Sequence, residues 1–461
     1  MSSKLVSTIL LASCLLGTAG RAQKQSPPEG GQPKDFVLPQ KSVMSFDNGL
    51  QVTLVQYGLV PKVTVQAVLR TGNIDEAENE VWLADMTGDL MKEGTMTHSA
   101  EEIARMAAGM GGSLAISVSP DQTVVGASVL SEYGADLITL MADVIRNPRL
   151  PESELPRLKN DRIRDLSIAL TDPGQLALAR FNQVLYPNHP YGRFFPTEAM
   201  LKGYALNQIK AFYDQHFGAG RTHIYVAGKF DQAAMESAIR KSFSDWKRGS
   251  EPVANVPKPA SKRSIYIIDR PGAPQSTIYL GLGVADPTAG DYKALLVTDA
   301  LLGGSFASRI TTNIREQKGY TYSPRSSVSS RFHDSYWTQF ASVTTAVTGA
   351  SLKEIFYEID RLQKSPPPAD ELKGIQNYLA GIFVLRNSSP GGIIGQLSFL
   401  DLQGLPESYL TNYVKDLHAV TPEQVQETAR KYLRMEDMII VIAGDRKQIA
   451  KQVAPFGKVV G

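Results

Sequence analysis

Along residues 50–56 and 63–69, β-branched and other apolar side chains recur with the short period of a strand. Over 81–91 the period lengthens, and Leu83, Met86, Leu90 and Met91 fall on one side of a helix. Ser99-Ala100-Glu101-Glu102 has the form of a capping box and predicts a second helix, ended by Gly111 and Gly112. Residues 113–118 and 123–129 then read as a hairpin across Ser119-Pro120-Asp121-Gln122. The order is strand, strand, helix, helix, strand, strand, helices, strand. Strands followed by runs of helices predict an α+β architecture, a mainly antiparallel sheet with helices packed on one face.

The pattern then repeats. A β-branched run closes on Ala227-Gly228 and a similar run closes on Ala443-Gly444, 444 − 228 = 216 residues later. Pro151-Glu152-Ser153-Glu154-Leu155 is echoed by Pro368-Ala369-Asp370-Glu371-Leu372, with 368 − 151 = 217. Two independent anchors at nearly one offset predict a duplicated domain. A chain of 461 residues is also too long for one ordinary core. The breaker-rich stretch 249–262, with Pro252, Pro257 and Pro259, is the expected linker between a first domain at 41–248 and a second at 263–461.

Ahead of the first domain, Lys4 precedes an apolar run over 5–17, and Ala19-Gly20-Arg21-Ala22 supplies small residues for cleavage. Residues 1–22 therefore read as a secretory signal, too short for a spanning helix. Residues 23–40 read as a disordered leader, rich in Gly, Pro and Gln. The expected location is the periplasm. The sole cysteine, Cys14, lies in Leu11-Ala12-Ser13-Cys14, which also resembles a lipoprotein cleavage box. Leu15 and Leu16 continue the apolar run beyond it, so an outer-membrane lipid anchor on Cys14 is the minority reading. Beyond Cys14 there is no thiol for a disulfide or a metal. No later stretch reaches about 18 apolar residues, so no membrane span is expected. The formal charge of +2 and the lack of a basic run with interleaved aromatics leave a nucleic-acid role without support.

Leu83-Ala84-Asp85-Met86-Thr87-Gly88-Asp89, closed by Gly94-Thr95, keeps the frame of a helix found in the insulinase/pitrilysin family of inverzincin peptidases. The chain resembles that family over nearly all of its mature length. The resemblance implies tandem α+β domains that close like a clam shell around an extended peptide. The family's fingerprint is H-x-x-E-H: two histidines one turn apart bind zinc and the glutamate activates the bound water. Here both histidine positions are aspartate, Asp85 and Asp89, and the glutamate position is Gly88, which has no side chain to act as a base. The third-ligand position falls at or near Asp165. Three aspartates would suit calcium or magnesium better than zinc. The plainer expectation is carboxylates that are solvated or paired with Lys or Arg. His98, His189, His216, His223, His333 and His418 show no ligand spacing, and His189 reads as architectural. No metal is expected on this chain.

The second half retains the motif Leu302-Gly303-Gly304-Ser305-Phe306-Ala307-Ser308-Arg309, followed by Arg315-Glu316-Gln317-Lys318-Gly319-Tyr320-Thr321-Tyr322. Both stretches resemble the family's C-terminal-domain signature. By that resemblance, Arg315 and Tyr322 are substrate-binding residues that donate to peptide carbonyls beside the scissile bond. The plainer reading pairs Arg315 with a nearby acid and packs Tyr322 in the sheet. A degenerate zinc helix with a kept Arg/Tyr pair is the pattern of a non-catalytic subunit. Its expected partner is a zinc-binding homologue in a heterodimer, with the zinc carried by that partner. A structural or binding scaffold with no role in proteolysis is the alternative. A stand-alone metallopeptidase ranks third, since it would need zinc held by carboxylates and no general base.

Overall fold

In the computed structural model, residues 36–260 and 262–460 are described; the signal reading at 1–22, with Cys14, and residues 23–35 of the leader reading lie outside them. The first sheet comprises β1 (Lys41–Ser45), β2 (Gln51–Gln56), β3 (Lys62–Leu69), β4 (Ala115–Val118), β5 (Thr123–Leu130) and β6 (Thr222–Gly228), in spatial order β1-β2-β6-β3-β5-β4. The second comprises β7 (Ser264–Asp269), β8 (Gln275–Val284), β9 (Arg325–Arg331), β10 (Asp334–Thr344) and β11 (Ile439–Gly444), in order β7-β11-β8-β10-β9. Removing β1 from the first sheet makes the two orders identical strand for strand. Only β2–β6 and β7–β11 pair in parallel, so both sheets are mainly antiparallel, as the hydrophobic pattern predicts.

The expected helix over 81–91 runs from Leu83 to Met91, and the Ser99 capping box opens the helix Ala100–Gly109. β1 is absent from the sequence reading. Of its five side chains only Met44 is buried, because it is an edge strand whose contribution is its ladder with β2. Between the helix ending at Phe243 and β7 there is no regular element.

Each half has its own apolar core between its sheet and its helices. The central strands, however, are apolar on both faces. β11 is buried at all six positions and β6 at every position but one. Helices from the same half cover only one of those faces. The other is covered by a helix from the opposite half. Helix Pro173–Leu185 sets Ala177, Phe181 and Leu185 against Tyr336, Ile439 and Val441 of the second sheet. Helix Pro390–Gln403 sets Ile393, Ile394 and Leu397 against Val55, Val68, Tyr225 and Ala227 of the first. The two helices begin at equivalent points of the repeat, 390 − 173 = 217. The expectation of helices on one face is therefore met within each half and completed by an exchange between halves.

Polar bonds also cross the seam. Tyr57 Oη donates to the Asn387 carbonyl at 2.7 Å, His223 Nδ1 meets Asp401 at 2.9 Å, and Tyr186 Oη donates to Asp334. Among the described residues no helix is long and apolar enough to cross a membrane.

Because each sheet needs the other half's helix, the two halves are expected to unfold together. Phe181→Ala, which empties the seam between Tyr279 and Tyr336, should cost about 3–5 kcal/mol in urea denaturation. The far-ultraviolet and tryptophan transitions should remain coincident. Separate transitions for the two halves in the wild type would contradict the exchange.

Candidate functional site

The helix carrying Asp85 and Asp89 begins under constraint. Trp82 stands immediately before it with φ of 69°, in the left-handed region that a bulky side chain rarely adopts. Two contacts hold it there. The Trp82 indole N–H donates to the Phe194 carbonyl at 3.2 Å, and its backbone N–H donates to buried Glu76 at 3.1 Å. Glu76 also accepts from the Ala84 N–H at 2.9 Å and from Asn73 at 3.0 Å. It thus supplies the N-terminal cap that the Trp82 side chain cannot.

Leu83, Met86, Leu90 and Met91 turn into the core, which leaves Asp85 and Asp89 one turn apart on the outer side. Arg162, from the helix Leu155–Ala169, lies across both. Its Nη2 is 2.6 Å from Asp89 Oδ2 and its Nη1 is 3.4 Å from Asp85 Oδ1. Asn73 donates to the other Asp85 oxygen at 2.8 Å, and Lys92 reaches Asp89 at 3.1 Å. Burial pushes the Asp85 carboxyl upward, and Arg162 and the Asn73 hydrogen bond oppose it. The guanidinium is thus the positive charge between the two carboxylates.

Asp165 does not join them. It is exposed, one turn along from Arg162, and lines a cavity of about 460 Å³ with Trp82, Arg193, Phe194, Phe195 and Arg331. No group of three or more metal-ligating side chains forms among the described residues. Gly88 is packed against β4: a Cβ there would stand 3.0 Å from Val118 Cγ2, so a side chain at 88 would need that half-buried valine to give by a few tenths of an ångström. Zinc therefore does not fit this helix. Two carboxylates are committed to an internal cation, and the position of the base, Gly88, has no side chain. His189 is architectural, as its motif suggests. It accepts from the Tyr191 N–H through Nδ1, and its Nε2 reaches the Asn255 carbonyl at 3.1 Å.

Arg315 and Tyr322 come together in the second half. The Arg315 guanidinium carbon lies 4.5 Å from the Phe306 ring centre and 5.0 Å from that of Tyr322. It touches Glu316 at 3.2 Å. Tyr322 is 80% exposed and Phe306 71%, so Tyr322 does not pack in the sheet. The scaffold beneath them is pinned. Buried Arg309 forms a two-pronged pair with Glu371 at 2.8 and 2.7 Å, and Thr321 donates to the Ser342 carbonyl at 2.7 Å. Neither Arg315 nor Tyr322 lines the cavity that Asp165 lines.

Three participants escaped the sequence reading. Arg162 is visible in retrospect as the cation one turn before Asp165. Phe306 lies inside the quoted Gly-Gly motif without a role assigned to it. Glu76 acts from six and eight residues before the two backbone N–H groups that it caps, at a spacing no local motif encodes.

Arg162→Met would leave Asp85 and Asp89 facing each other with only Lys92, on the Asp89 side, as a nearby cation. It should lower stability by about 2 kcal/mol, less at low pH than at pH 8, because burial already favours the protonated form of Asp85; the Asp85→Asn/Asp89→Asn pair should relieve the loss. Burial also pushes Glu76 up from its ordinary 4.5 to about 8. The folded chain thus keeps a proton that the unfolded chain releases, so this group's stabilisation is full below about pH 4.5 and is lost as pH rises through 8. The urea midpoint should fall between pH 6 and 9 more steeply in the wild type than in Glu76→Gln.

Residues 52–193 match the family model described as insulinase, peptidase family M16. Residues 204–379 match the one described as the peptidase M16 inactive domain. An uncharacterized zinc protease of Bacillus subtilis is 24% identical, covering 86% of this chain and 96% of that protein. Another, from Mycobacterium bovis, is also 24% identical and covers 91% and 97%. The crystal structure of a peptidase M16 inactive domain from Pseudomonas fluorescens superposes with a TM-score of 0.81 at 25% identity, covering 88% of this chain and 98% of that one. A protease from Helicobacter pylori shares the fold with a TM-score of 0.82 at 19% identity, covering 88% of this chain and all of that one. With two successive domain matches spanning more than half its length, the chain belongs to the insulinase family of peptidases, family M16.

Proposed function

We propose that this chain is an exported, non-catalytic subunit of a heterodimeric zinc peptidase. The observation that carries the reading is a contrast within one molecule. The helix that would hold zinc has its two aspartates paired with Arg162 and no base at Gly88. Arg315, by contrast, stands half-buried beside an exposed Tyr322 and an exposed Phe306. A chain with donors but no metal contributes to hydrolysis when a second chain brings the metal. The partner is a family member with an intact H-x-x-E-H, and zinc sits on that partner. The two chains enclose an extended peptide in the periplasm, reached through the secretory signal at 1–22.

In the assembled enzyme Arg315 and Tyr322 would donate to the peptide carbonyl as negative charge develops on it. Preorganised donors of this kind are commonly worth about 3–4 kcal/mol each. Arg315→Ala and Tyr322→Phe should each lower kcat of the reconstituted pair at least tenfold. The chain alone should neither retain stoichiometric zinc nor cleave peptide. Unchanged turnover by both variants would instead make the chain a scaffold, and tight zinc with chelator-sensitive cleavage by the chain alone would overturn the reading altogether.

A further inference from the structure

The cavity beside Asp165 has a counterpart in the second half. Asp165, Ala169 and Asn182 line the first; Ile382, Arg386 and Phe399 line the second. Each pair is separated by the same interval (382 − 165, 386 − 169 and 399 − 182 are all 217). The second cavity measures about 450 Å³. It is the same place in the repeated fold with different chemistry in its wall.

Asp299, the last residue of the helix Tyr292–Asp299, contributes to that wall. Its side chain is only 9% exposed. One carboxylate oxygen, Oδ1, accepts from the Trp337 indole N–H at 2.8 Å and from Ser326 Oγ at 2.5 Å. The other, Oδ2, accepts from no donor among the described residues, and no cation among them compensates the group. Burial raises Asp299 to about 6, so at pH 7.5 it is mostly ionised. A buried, ionised and half-satisfied carboxylate is costly unless something completes it. Asp299 is the only acid lining the cavity among the described residues, and Arg386 the only base. One carboxylate is too few for a hard metal ion, which takes six or more oxygen ligands. An ammonium or guanidinium, which brings its own donors, needs no more than one. Tyr292, Tyr409 and Phe399 supply aromatic wall along which an aliphatic stem would lie.

We propose that the second cavity is a binding site for a basic side chain, lysine or arginine, of a peptide. The cationic head meets Asp299 Oδ2, and a carbonyl or carboxylate of the same peptide meets Arg386. The site belongs to this chain alone and depends on neither a partner subunit nor Arg315.

Calorimetric titration of the full-length chain at pH 7.5 with Nα-acetyl-arginine amide, Nα-acetyl-lysine amide and Nα-acetyl-norleucine amide tests it. The two basic amides should bind saturably at one site, at least tenfold more tightly than the norleucine amide. Asp299→Asn, which keeps an acceptor for Trp337, should weaken them at least tenfold. Gly395 lines the cavity and a Cβ there meets nothing within 4 Å. Gly395→Phe should therefore fill the site without disturbing the fold, and should abolish binding even if Asp299→Asn does not fold. Tighter binding of the free acids than of the amides would assign the site to a C-terminal basic residue, and the reverse to an internal one. Equal affinity for norleucine amide, no saturation by either basic amide, or binding unaltered by Gly395→Phe would overturn the proposal.

Discussion

The exchange of one helix between the two halves is the constraint on which the rest of the molecule depends. A central strand such as β11, apolar along its whole length, must be covered on both faces. Each half builds enough helix for one face of its own sheet and sends the remaining cover across the seam through Phe181 or Ile394. The same seam carries the Tyr186–Asp334 and His223–Asp401 bonds, so apolar cover and polar register are set together. Because the exchange locks the two halves, the cavity at Asp165 has Arg331, a second-half residue, in its wall. The site in the first half is thus partly built by the second.

Within that frame, the arrangement of Asp85, Asp89 and Arg162 has a consistent electrostatic logic. Two carboxylates one turn apart repel each other, and burial makes the repulsion worse. Arg162 resolves this with a fixed internal cation of reach and planarity suited to bridging them. A guanidinium brings donors but no open coordination position, so it can stabilise the helix without supplying a reactive water. At Gly88 the helix packs closely on β4, with Val118 against the bare Cα.

Much of this was legible in the chain itself, for identifiable reasons. Strand and helix periods and the Ser99 capping box are local signals, and β2, β3 and the helix Ala100–Gly109 follow them. The repeat was legible because the duplicated anchors keep their offset. β1 was not, since one buried side chain leaves no period to read. The exchanged helices were not either: their apolar faces are plain in the sequence, but which sheet receives them is a property of the assembled fold. The same limit applies to the site. Asp85, Gly88 and Asp89 could be named from a motif frame. Arg162 could not be placed between them, because its pairing joins helices 73 residues apart. Analogy places Asp165 with them, yet it lines a separate cavity.

The matching strand orders carry a consequence about origin and assembly. Two copies of a half-length chain with this topology would each offer a helix and each expose an uncovered sheet face. Helix exchange between them would close a two-fold dimer through an isologous, swapped interface. Joining the copies end to end converts that encounter into an intramolecular one, with an effective concentration set by the connecting segment rather than by the cell. Once the halves no longer needed to be identical, each cavity could diverge by itself. One now has Asp165 in its wall and the other Asp299.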